Sequence, residues 1–252
     1  MIREDENAEA SSASAISAPS LAASIHDFSP DQLLRAAANP ALTEDLALSL
    51  LKRADLPVEV LEQLSRNGTV LKLRKAKLAL ASHPHTPRHL SVPLIRQFYT
   101  FDLLKIALTP SVPADVKVAA DDVLIARLKS VTLGERLALA RRGSSRIAGA
   151  MLLDGDARVM RIALENSRLT EAFVIQAVLR PEANAALVQA VAYHAKWSYR
   201  REVRIALLRT EHLSLARALE FSKTFPLPLL RDLLHSSRLP ARIKEQMLRE
   251  CQ

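Results

Sequence analysis

One phrase recurs along this chain and narrows what it can fold into: an Ala/Leu-rich helix end, a tight turn, and the start of another helix. It is plainest between residues 105 and 117. Pro110 stops the first helix there, because it has no N–H to donate and its ring crowds the preceding turn. Pro113 stands where the next helix begins, a position at which the missing N–H does no harm. The phrase returns at 36–43, 78–87, 162–170 and 233–240. Such punctuation predicts many short helices joined by short turns, and hence a repeat protein.

Composition agrees. Hydrophobic residues make up 49% of the 252, aromatics only 4%, and there are five glycines. Leu- and Ala-rich segments favour helices packed through small and branched aliphatic side chains over a sheet. Ser29 and Pro30 mark the first predicted helix start, and Thr43 the second, with Leu46, Leu50 and Leu51 on one face. A helix carrying Val60, Leu61 and Leu64 is expected to stop at Asn67 and Gly68. Further helices are predicted over 74–81, 86–98 with Thr86 as cap, 116–128, 133–141, 145–153 and 158–165.

The phrase also carries a longer period. Shifting the chain by 127 residues aligns Asn39, Leu42, Thr43 and Glu44 with Asn166, Leu169, Thr170 and Glu171. Without a gap, Arg53 then meets Arg180, Arg74 meets Arg201, His85 meets His212, Phe98 meets Phe225 and Lys117 meets Lys244. There are about fifteen identities over about 85 positions, which predicts a tandem duplication. The expected organisation is a disordered, acidic, Ser/Ala-rich tail at 1–28 and a first helical-repeat copy at 29–125. A connecting helical pair at 126–157 and a second copy at 158–252 complete it. Short helical hairpins cannot bury their apolar stripes alone, so the fold class expected is all-α, an α-solenoid of stacked hairpins. A compact globular helical bundle is the alternative architecture.

Two stretches resemble a known family. Asp156 followed by Val159, Arg161 and Leu164, and the run from Trp197 through Val203 and Arg204 to Leu207, resemble the opening of the second helix in HEAT-like repeats. The turn Asn39, Pro40, Leu42, Thr43 after an Ala-rich run is similar to the leucine-rich repeat variant, an all-helical relative. The resemblance spans most of 31–252 and implies a binding scaffold. Its motifs encode packing, so it brings no catalytic residue and no cofactor.

Charge and cysteine set further expectations. Net charge is +8, yet residues 1–30 hold Arg3 against Glu4, Asp5, Glu6, Glu9 and Asp27, so the cationic excess belongs to the rest of the chain. A basic body suits an anionic partner, or an acidic tail lying on its own body. Cys251 is the single thiol and cannot close an internal disulfide. The acidic N-terminus is unlike a secretory signal, and no apolar run approaches the roughly 18 residues of a membrane span. A cytoplasmic protein without membrane contact is the expectation.

The candidate site is an anion- or partner-binding patch formed by Lys196, Trp197, Tyr199, Arg200, Arg201 and Arg204. Its first-copy counterpart is Lys72, Arg74, Lys75 and Lys77. Cations near a helix start run against the helix dipole, and beside free N–H groups they suit phosphate or carboxylate. Exposed Trp197 and Tyr199 would stack on bases or cover a partner's apolar edge. The competing reading pairs these cations with acids of a neighbouring repeat and makes Trp197 a plug in the stack. His83, His85 and His89 read as turn histidines rather than metal ligands, for no acid or thiol lies close. Asp154, Asp156, Asp121 and Asp122 read as caps or solvated acids at turns and helix surfaces.

The functional expectation is a non-enzymatic scaffold that binds a protein or peptide on its concave face, with no cofactor and no metal. The alternative is nucleic-acid binding through a basic, aromatic groove, including, less favoured, a HEAT-like DNA glycosylase.

Overall fold

The computed structural model describes residues 29–250, and the regular secondary structure among them is all α-helix. The predicted tail at 1–28 and Cys251 lie outside the described residues. The first helices are Pro30–Ala38 (α1), Glu44–Leu51 (α2), Val58–Arg66 (α3), the short Gly68–Lys72 (α4), Arg74–Ser82 (α5) and Arg88–Ile95 (α6). Thr100–Leu108 (α7), Ala114–Arg127 (α8), Leu133–Arg142 (α9), Ser145–Met151 (α10), Ala157–Leu164 (α11) and Glu171–Leu179 (α12) continue the chain. Ala185–Ala192 (α13), Arg201–Leu208 (α14), Leu215–Ser222 (α15), Leu227–Ser236 (α16) and Ala241–Glu250 (α17) end it. No described helix is long and apolar enough to cross a membrane.

Helix ends follow local chemistry, with three departures from the sequence reading. Thr43, Ser144, Asp156 and Asn184 cap as N-cap residues do, and Thr132 forms a capping box with Glu135. Asn67 does not stop the chain. It ends α3 and at once caps α4, accepting from Thr69 N–H, because its φ of −74° lets helix resume at Gly68. Thr86 does not cap α6. Its buried hydroxyl instead donates to the Leu80 carbonyl at 2.6 Å, sealing the end of α5. Ser29 stands at the N-cap of α1 but makes no side-chain cap bond there.

Two compact units result. Among the described residues, one holds 29–102 with Thr109–Ala120, and the other holds Leu103–Leu108 with 121–250. In the first, α1 packs on α3, and α2 on α5. In the second, α9 packs on α11 and α11 on α13, while α10 packs on α12, α12 on α14 and α14 on α16. Leu, Ala and Val fill the spaces between, as at Leu50, Leu61, Leu80, Val188 and Leu207, all without exposure. Burial of these side chains is the main favourable term, about 1.5–3 kcal/mol for each large one.

Packing one helix on the next but one leaves last-turn carbonyls facing a neighbour instead of water. Side chains from the following turns meet them. Asn67 Nδ2 donates to the Ala37 and Asn39 carbonyls at the end of α1, both at 2.9 Å. Asn166 Nδ2 donates to Ala140 O at 2.8 Å and Gly143 O at 3.2 Å, at the end of α9. Trp197 Nε1 reaches Leu164 O of α11 at 3.0 Å, and Ser237 Oγ reaches Leu208 O of α14 at 2.5 Å. His83 Nδ1 accepts from His85 N–H, so Nε2 carries the proton and donates to Arg53 O at 2.8 Å. Asn67, Asn166 and Ser237 likewise accept the N–H two residues on, which holds each turn in shape.

The helix starts have a regularity of their own. Those at Pro30, Glu44, Val58, Arg74, Arg88, Thr100 and Ala114 are followed 127 residues later by starts at Ala157, Glu171, Ala185, Arg201, Leu215, Leu227 and Ala241. Side-chain contacts keep the same step. Lys117 Nζ donates to Pro110 O at 3.0 Å, and Lys244 Nζ to Ser237 O at 2.6 Å.

Replacing Asn166 by Ala strands two carbonyls and the Arg168 N–H in a buried turn. Chemical denaturation should show a loss of about 2–3 kcal/mol, whereas Ser236→Ala, on an exposed helix end, should stay within about 0.5 kcal/mol.

Candidate partner-binding surface

The turn between α13 and α14 carries most of the residues singled out in the second half. Trp197 is not exposed. It retains 2% of its surface, held under the end of α11 by its bond to Leu164 O, because an indole in this turn fills the space between helices and needs an acceptor for its N–H. It is the plug of the competing reading. Lys196 stands over it, with Nζ 4.1 Å from the ring centre, and the His194 ring centre lies 6.2 Å away.

Tyr199 meets the expectation of exposure, at 75%. The Arg204 guanidinium lies 5.9 Å from its ring and 5.2 Å from that of buried Phe221, and Arg204 Nε donates to Ser198 O at 2.6 Å. Arg217 lies 5.7 Å from the Phe221 ring and 4.2 Å from that of Tyr193, which is 58% exposed. The result is an alternating series: Tyr199, Arg204, Phe221, Arg217, Tyr193. Glu220 holds Arg217 at 2.5 Å. Arg200 and Arg201 lie exposed beside the series, with Arg201 3.8 Å from Glu202.

The counterpart cluster belongs to the first unit. Arg74 forms a fork with Asp102, its Nε and Nη2 at 2.9 and 2.8 Å, and so pairs with an acid one hairpin away, as the competing reading has it. The same guanidinium lies 5.2 Å from the ring of Tyr99, which is 70% exposed beside exposed Phe101. Lys77 donates to Gln97 at 3.2 Å, while Lys72 and Lys75 are exposed and make no ion pair among the described residues. All three tyrosines of the chain are therefore exposed, each with an arginine on its face. Arg217 and Phe221 escaped the sequence reading because they lie on α15, distant in sequence; the only signal was an Arg and a Phe four apart on a helix.

The acids and histidines resolve mostly as structure. Asp156 caps α11, and the Arg158 guanidinium hydrogen-bonded to it holds its carboxyl down at about 2. Asp154 pairs with Arg136 at 2.7 Å. No group of three or more His, Cys, Asp or Glu suited to a metal occurs among the described residues. Burial lowers His83 below the usual histidine range, consistent with its neutral role at Arg53. Asp121 departs from its reading as a solvated acid. It is 4% exposed, next to Ala120 on the Val116–Leu124 face of α8, and burial raises its carboxyl to about 6. Ser144 Oγ donates to its Oδ2 at 2.8 Å, and Arg146, hydrogen-bonded to Asp122, lies 4.0 Å away.

Comparison with known proteins adds no name. No family model matches the chain, and no match is found among curated proteins or solved structures. The resemblance to HEAT-like repeats thus rests on the turn and helix-opening motifs alone.

Because folding raises the Asp121 carboxyl, the folded state favours its protonated form. Any stabilisation from that proton is complete below the ordinary value near 3.8 and is lost as pH rises through about 6. Asp121→Asn should therefore gain in melting temperature over the wild type as pH goes from 5 to 7. Parallel pH curves for the two proteins would contradict this assignment.

Proposed function

We propose that this chain is a non-enzymatic, cytoplasmic α-solenoid of HEAT-like hairpins, built by a 127-residue duplication, that binds a protein or peptide partner on its concave face. Next-but-one helix packing, carbonyls met by turn side chains, and seven pairs of helix starts in one step support the architecture. The duplicate reading assigns 29–125 and 158–252 to the two copies, with 126–157 joining them.

The observation that carries the binding role is the exposure of every tyrosine with an arginine against its ring. Tyrosine and arginine dominate the energetics of protein interfaces, and a ring already held by a guanidinium loses little freedom on binding. Quantitative affinity capture should therefore retain a partner on the wild type and lose it at least about tenfold on the Tyr99→Ser, Tyr193→Ser, Tyr199→Ser triple variant. The melting temperature should be unchanged, since none of the three rings is buried. A captured set identical for both proteins would remove the reading.

A second reading, single-stranded nucleic acid, is favoured by Lys72, Lys75 and Arg200, exposed cations without an acid partner among the described residues. Fluorescence anisotropy with a labelled oligonucleotide should then show affinity falling steeply with salt, with a smaller slope in the Lys72→Gln, Lys75→Gln, Arg200→Gln variant. Absence of binding at low salt would discard it.

A further inference from the structure

A groove of about 250 Å³ opens in the second unit between α10 and α12. It exists because its floor lacks side-chain volume. Gly149 and Ala150 of α10 face Ala177 of α12, and a Cβ on Gly149 would lie 2.9 Å from that of Phe173. Ile125, Leu153 and Phe173 supply apolar walls. Two guanidiniums border it, and their circumstances differ. Arg146 is committed to Asp122 and lies 4.0 Å from Asp121. Arg180 is exposed and has no side-chain hydrogen bond or ion pair among the described residues.

The register 127 residues earlier differs at two of the groove's positions. Leu50 stands in the place of Ala177 and is fully buried, and Arg53 stands in the place of Arg180, paired with Asp55 at 3.0 Å. Glu182, in the place of Asp55, makes no such pair with Arg180. In the second unit the same register thus carries a smaller side chain at 177 and, among the described residues, an arginine at 180 without that pair. An apolar recess beside an uncommitted arginine complements an apolar group carried next to a carboxylate.

We propose that this groove receives the C-terminal residue of a partner chain, with its carboxylate on Arg180 and its apolar side chain against Ile125, Leu153 and Phe173. The recess holds little more than one residue, and a C-terminal residue carries both groups on one Cα. The inference rests on the protein-partner reading above and names one place where that partner is held.

The test titrates the full-length, ¹⁵N-labelled chain with N-acetyl-L-leucine and, separately, N-acetyl-L-leucinamide, which differs only in lacking the charge. N-acetyl-aspartate N-methylamide tests an internal acid as the source. Saturable amide shifts should centre on Gly149, Ala150 and Arg180 with the leucine acid, and the leucinamide and aspartate compounds should bind at least about tenfold more weakly. Arg180→Gln should weaken the acid about tenfold and leave the amide unchanged. Ala177→Leu, which adds bulk to the groove lining, should abolish both; Ala150→Met serves if that variant fails to fold. Equal titration by acid and amide, or shifts that lie elsewhere, would overturn the groove. Undiminished capture of a partner by Ala177→Leu, with loss on the tyrosine variant, would sink the groove as a docking point and leave the scaffold reading standing. Acid-specific titration with no captured partner would do the reverse.

Discussion

The carbonyls at the last turn of each short helix set the terms for the rest of the structure. A helix of eight or nine residues leaves about half its carbonyls without an intrahelical donor. Exposed to water they would cost nothing, but packing on the next-but-one helix removes the water. Asn67, His83, Asn166, Trp197 and Ser237 replace it with side-chain donors. Asn serves best because its amide donates across the gap while its oxygen holds its own turn. The histidine and the serine reproduce both halves of that arrangement with other atoms. Polar groups thus occupy some of the most enclosed positions in a fold otherwise filled by Leu and Ala, and they fix which helix end meets which turn.

Much of this was visible in the amino-acid order, and the rest was hidden for a definite reason. Pro110, Thr43 and Asp156 announce helix boundaries because stops and caps act within four residues. The step relating Asn39 to Asn166 was readable because turns and helices shift together. What a turn residue touches across the stack depends on a helix about 30 residues away, and no local pattern records it. Trp197 therefore read both as a stacking surface and as a plug, and Thr86 read as a cap when its hydroxyl closes the preceding helix. Asp121 was misplaced because a carboxylate next to Ala120 on an apolar face breaks the rule that such faces exclude charge. The arginine–aromatic series was legible only at one end, since Tyr199 and Arg204 are neighbours in sequence while Phe221 and Arg217 come from the next helix.

Phe98, Phe221 and Phe225 are buried, and Trp197 is buried where a carbonyl awaits its N–H, while Phe101 is exposed. The three tyrosines stay outside, each with a guanidinium against one face. Those arginines are themselves held, Arg74 by Asp102, Arg204 by the Ser198 carbonyl and Arg217 by Glu220. Ring, cation and anchor form a small rigid assembly on each occasion, so the tyrosine faces are oriented before anything binds.

The turn donors share one direction. Asn67, His83, Asn166, Trp197 and Ser237 all reach toward residues nearer the N-terminus. On a ribosome, these five helix ends therefore emerge before the side chains that will satisfy them, and each of these turns latches onto chain already made. Growth by successive latching needs no distant segment to return from the far end of the chain.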